Sequence, residues 1–158
     1  VAGWLLLAPV LVLWAFTLRP AELGGPATYV VVSGDSMEPV LSDGDLVVAR
    51  ERARYAVDDV AVFPVPEGEP GGGSLVIHRI VGIDGERFVM QGDNRDRVDD
   101  WTPRPAQVRG AMWLHVPGGG QMLMAVLRPP VLAAVTGGLA TVWLLTRESA
   151  SKPARDDA

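Results

Sequence analysis

Tyr29-Val-Val-Val-Ser-Gly-Asp-Ser-Met-Glu-Pro39 is a run of branched residues that stops abruptly at a glycine, a short polar segment and a proline. Residues 29–32 read as a strand, because consecutive valines fit a pleated, half-buried surface. Gly34, two residues before Ser36, and Pro39, three after it, describe a chain leaving that strand through a sharp turn. At such a turn a hydroxyl projects into a cleft while adjacent backbone N–H groups point at a common spot, the geometry an oxyanion needs. Outward from this stretch, residues 45–49, 59–63, 75–83, 87–91 and 108–116 also read as strands, punctuated by Asp43-Gly44, Asp84-Gly85 and Gly92-Asp93-Asn94. No helical periodicity of comparable strength interrupts them, and residues 64–74 form a low-complexity loop. The expectation is a mainly β protein, with a small antiparallel β domain, a partly open barrel, over residues 28–120.

The chain is 48% hydrophobic, and the excess lies at its two ends. Residues 1–18 and 129–146 contain no charged side chain. Each is about long enough, as a helix, to cross a hydrocarbon core of roughly 30 Å. The first stretch lacks a charged leading region and a small-x-small exit, which favours an uncleaved anchor over a cleaved secretory signal. The expected organisation is a transmembrane helix at 1–18, the β domain at 28–120, a second transmembrane segment at 122–146 and a disordered cytoplasmic tail at 147–158. Such a chain sits in the cell membrane as a two-span, multi-pass protein with its β domain extracytoplasmic and the lipid bilayer as a partner. A net charge of -5 offers no basic stripe to release counterions and so argues against nucleic acid. The absence of cysteine excludes disulfides, thiolate catalysis and cysteine-bearing zinc sites.

Candidate chemistry reduces to a short search. Among six serines, Ser36 alone follows a strand into a Gly/Pro turn, although a serine there also serves as a turn cap. A nucleophilic serine needs a base within hydrogen-bond reach. Of the two histidines, His78 lies in Val76-Ile-His-Arg-Ile-Val81, where alternation puts Val76, His78 and Ile80 on one face and Arg79 on the other. A histidine between apolar neighbours is also an ordinary core residue, and His115 is the reserve candidate. The only lysine is Lys152, beyond the second apolar stretch. In the cluster Gly92-Asp-Asn-Arg-Asp-Arg-Val-Asp-Asp100, arginines occupy sites where a calcium loop needs oxygen ligands, which argues against a metal. The mixed charges suggest a turn tied by local ion pairs, with one carboxylate free to orient a histidine.

SGDSMEP, the strand VIHRIVGI and GDNRDRVDD, in that order, resemble the motif boxes of signal peptidase I, the membrane serine protease that removes signal peptides. The resemblance covers roughly residues 31–120 and implies Ser36 as nucleophile. With histidine rather than lysine in the second box, the chain is similar to the Ser/His branch of that family, and His78 becomes the general base. The third box implies Asp100 as the carboxylate serving His78, with Asp93, Asp99, Ser33, Met37 and Pro39 in supporting positions. Gly34 stands where bacterial members place a serine whose hydroxyl assists the oxyanion hole. The hole then rests on backbone N–H groups, chiefly that of Ser36, unless Ser33 or another hydroxyl substitutes.

The resemblance thus implies cleavage of signal peptides from secreted preproteins, with no cofactor and no metal. It does not say whether accessory subunits are needed. Two alternatives remain at this point: a catalytically inactive, membrane-anchored β module that binds or scaffolds partners, and a repressor-type autoprotease of related β fold. The latter type uses a lysine base and carries a DNA-binding segment, features not seen in this sequence.

Overall fold

The valine-rich segments pair edge to edge into one antiparallel sheet. The computed structural model describes residues 2–150. In chain order its main elements are α1 (Ala2–Thr17), β1 (Ala27–Val31), β2 (Leu46–Arg50), β3 (Val60–Pro64), β4 (Leu75–Asp84), β5 (Arg87–Gln91), β6 (Gly110–Val116), α2 (Gly119–Val126) and α3 (Pro129–Ala150). Each strand lies within two residues of its expected position, and β5 coincides with it. The order across the sheet is β1-β2-β6-β3-β4-β5, with every pairing antiparallel.

The sequence of β3, VAVFP, explains its central place. Val60 and Val62 join Val30, Val32, Met37, Leu41, Val47, Ala49 and Ile77 in one buried cluster. Ala61 and Phe63 point the other way, into a second cluster with Ile80, Phe88, Met90 and Val108. A strand buried on both faces needs no polar alternation. Met37 and Leu41 come from the turn after β1 and are fully buried, so the segment carrying Ser36 is fastened to the core by the residue that follows the serine.

Two open strand edges flank the serine turn. Over Thr28–Val31, β1 pairs with β2 alone. β4 pairs with β3 from Leu75 to Arg79 but with β5 only from Arg79 onward. The first half of β4 therefore exposes one edge.

The helical ends correct the expected class. No single helix among the described residues is long and apolar enough to cross a membrane. α1 has 16 residues, about 24 Å at the usual helical rise. The C-terminal stretch is broken: α2 and residues 129–144 reach the required length and composition only together, across a 64° bend. Pro129 and Pro130 supply the reason, since proline disfavours a helical residue before it and removes a backbone donor. The expected transmembrane helices at 1–18 and 122–146, and with them the two-span cell-membrane location and extracytoplasmic placement, are not supported. The fold is a β-sheet domain with helices. The chain divides into two compact units, residues 1–120 and 121–158. Of the tail expected at 147–158, residues 147–150 belong to α3 and the rest lies outside the described residues.

Candidate active site

The turn after β1 delivers Ser36 to the side chain that β4 presents on its Val76/Ile80 face. His78 Nε2 lies 3.1 Å from Ser36 Oγ, although 42 residues separate them in sequence. On the other side of the ring, His78 Nδ1 lies 2.6 Å from Asp99 Oδ2. A carboxylate only accepts, so the ring proton resides on Nδ1 and Nε2 faces the serine as an acceptor. His78 is 8% exposed, which shields this chain of hydrogen bonds from competing water. Asp99 is held in turn by its own amide, which donates to Met90 O at 2.8 Å.

The carboxylate that meets His78 is thus Asp99, and not the Asp100 that the resemblance implied. Asp100 is exposed and makes no hydrogen bond among the described residues. A one-residue difference thus decides which acid meets the ring. Ser33 is exposed at the mouth of the site, Met37 is a core anchor, and Pro39 is exposed on the far side of the turn. Asp93 serves Arg79, which donates to it through Nε at 2.7 Å and through an η nitrogen at 2.6 Å. These hydrogen bonds raise the Arg79 pKa further. His115, the reserve base, is committed elsewhere: its Nε2 lies 2.7 Å from Asp45. Asp45 also accepts from the amides of Ser42 and Gly118, and these backbone donors hold its carboxyl below the usual range.

The acidic cluster does not close on itself through local ion pairs, as its mixed charges suggested. It reaches across to the serine turn. The Asn94 amide donates to Ser36 O at 2.9 Å, Asn94 Nδ2 to Asp35 O at 3.1 Å, and Arg95 to the Asp35 carboxylate at 2.7 Å. The Arg95 hydrogen bond lowers the Asp35 pKa.

Gly92 makes the approach feasible. A Cβ there would sit 2.5 Å from Ser36 O and 3.1 Å from both His78 Nε2 and Arg95 Cγ. Sequence reading treats Gly92-Asp-Asn only as a turn, and its informative feature is a glycine immediately after a strand and ahead of two polar residues. Gly92→Ala is expected to cost about 100-fold in rate, the scale of a misplacement near 1 Å at reacting groups, while unfolding near the wild-type temperature. Cleavage kinetics beside thermal unfolding check this.

A cleft of about 330 Å³ runs past the serine, lined among others by Val31, Ser33, Ile77 and Trp101. It lies between the open edges of β1 and β4. Residues 14–111, well over half of the 158-residue chain and including Ser36, His78 and Asp99, match the family described as Peptidase S24-like. The chain belongs to the S24-like peptidases. No curated protein matches it.

Membership in the S24-like family overturns the resemblance to signal peptidase I. The expected removal of signal peptides, the signal peptidase I enzyme class and the associations with secretion and a transmembrane anchor fall with it. S24 peptidases are self-cleaving and use a Ser/Lys dyad, so the autoprotease alternative is the nearer one. The misleading motifs are short and meet demands that both families share: a serine at a strand-to-turn junction and a base on a neighbouring strand. In this S24-like chain the single lysine, Lys152, lies outside the described residues. The Ser/His scheme implied by signal peptidase I loses its family warrant. Any role for His78 must rest on its geometry.

Proposed function

We propose that the chain is an S24-type self-cleaving serine peptidase in which Ser36 is the nucleophile and His78, oriented by Asp99, fills the place of the family's lysine. The observation that carries this reading is the pair of hydrogen bonds on one imidazole, 3.1 Å to Ser36 Oγ and 2.6 Å to Asp99 Oδ2. Ser36 Oγ attacks a peptide carbonyl as its proton passes to His78 Nε2. Asp99 stabilises the resulting imidazolium, which then protonates the leaving amine. Water, activated by the same nitrogen, releases the acyl group and restores the serine. No metal or organic cofactor enters these steps.

The substrate class is an extended peptide segment laid between the open edges. Val32 turns its backbone groups toward the β2 side, donating to Asp45 O and accepting from Gly44. Ile80, through its N–H and C=O, and Ser74, through its C=O, likewise turn toward the β3 side. Alternation along a strand then directs the N–H and C=O of Val31, Ser33, Leu75 and Ile77 into the cleft. Main-chain hydrogen bonds of this kind hold a guest strand with little dependence on its sequence.

Incubation of the purified chain, with mass spectrometry of the products and labelling by a fluorophosphonate, tests the reading. The expected result is a label on Ser36 and scission of the chain at a rate per molecule that is unchanged on dilution. A rate that rises with concentration assigns the cut to a second copy. No scission and no label contradict the proposal.

A further inference from the structure

Asn94 makes two hydrogen bonds to consecutive carbonyls of the serine turn: its amide donates to Ser36 O at 2.9 Å and its Nδ2 to Asp35 O at 3.1 Å. In a trans peptide the carbonyl and the N–H of one plane point in opposite directions. The plane holding Asp35 O carries the N–H of Ser36, and the plane holding Ser36 O carries the N–H of Met37. Drawing both carbonyls toward Asn94 therefore turns both N–H groups away from it, to one common side. Neither N–H has a hydrogen-bond partner among the described residues. Successive N–H groups facing one side form a concavity suited to an anion.

Resting on the reading of Ser36 as nucleophile, we propose that Asn94 is the positioning residue of the oxyanion hole, fixing the N–H groups of Ser36 and Met37 toward the developing negative charge. Gly34 carries no hydroxyl to share that task, so it falls chiefly to the backbone donors. Their aim depends on the two peptide planes, and Asn94 is the side chain that grips the first of them while its own amide grips the second. Arg95 donates to the Asp35 carboxylate at 2.7 Å and to Asn94 O at 2.9 Å, both outside the two planes. Asp35 O also accepts from the Glu38 amide at 3.1 Å, so loss of the Asn94 side-chain donor leaves the first plane with one hold instead of two.

The test uses the full chain as wild type, Asn94→Asp, Asn94→Ala and Arg95→Gln, with p-nitrophenyl acetate hydrolysis, fluorophosphonate labelling and thermal unfolding as readouts. Both Asn94 variants are expected to lose about 10- to 100-fold in kcat, somewhat less than deletion of an oxyanion donor outright. KM stays within about twofold, labelling of Ser36 slows in parallel, and Arg95→Gln stays within about threefold of wild type in kcat. Asn94→Asp keeps the shape of the side chain and guards against a trivial loss of folding. Wild-type activity with Asn94→Asp within about threefold of it in kcat overturns the role of Asn94 alone. So does a loss confined to variants that melt below the assay temperature, or one carried in KM. A wild type silent toward both probes overturns the nucleophile reading, and this inference with it.

Discussion

His78→Gln is expected to slow peptide-bond cleavage about 10⁶-fold, because a serine nucleophile and its base act as a unit and losing either costs nearly as much as losing both. Glutamine retains polar atoms and much of the volume, which suits a position 8% exposed on β4. Its amide, however, cannot take the Ser36 proton and return it to a leaving amine. The ring is the sole titratable side chain within hydrogen-bond distance of Ser36 Oγ among the described residues. Self-cleavage followed by mass spectrometry over days resolves the residual rate, and the sheet's thermal unfolding reports whether the variant is folded. A His78→Gln protein that cuts within about tenfold of wild type removes His78 from the mechanism.

The second large effect separates neighbouring acids. Asp99→Ala is expected to lower the rate about 10⁴-fold, the scale of losing the carboxylate that holds an imidazole in its working tautomer. Without it, the proton on Nδ1 has no fixed acceptor, and the ring is free to present N–H rather than a lone pair to Ser36. Asp100→Ala is expected to stay within about twofold of wild type, since an exposed residue without a hydrogen bond rarely contributes. Paired cleavage assays on the two variants read this directly, and equal losses would assign the role to the acidic segment's fold instead of to Asp99.

The strands were legible because each carries a local signal. β3 is an uninterrupted apolar run bounded by Asp59 and Pro64, and β5 lies between the Asp84-Gly85 turn and Gly92. Ser36 and His78 were also visible, one at a strand-to-turn junction and the other as an imidazole on an apolar face, and the structure brings them to 3.1 Å. Which aspartate meets His78 was not legible. That depends on how the segment after β5 is pinned, by the Asp99 amide on Met90 O, and motif spacing carries no record of that bond.

The grip of Asn94 on the serine turn was hidden for a similar reason, since its partners lie 58 and 59 residues away. Hydropathy alone suggested two membrane spans, but a composition average does not register the helix break that Pro129 and Pro130 impose. The three motifs point to more than one family because they describe the needs of a serine at a turn facing a base on a strand. Those needs are shared by S24-like and signal peptidase sites.

With His78 in place of the lysine of the S24 dyad, cleavage needs no amine, and the self-cleavage rate of Lys152→Gln, which removes the chain's only lysine, tests this. A rate within about twofold of wild type is predicted, because no step assigned to Ser36 and His78 passes through an amine. A fall of about 10⁴-fold or more would contradict the account and return the base to lysine.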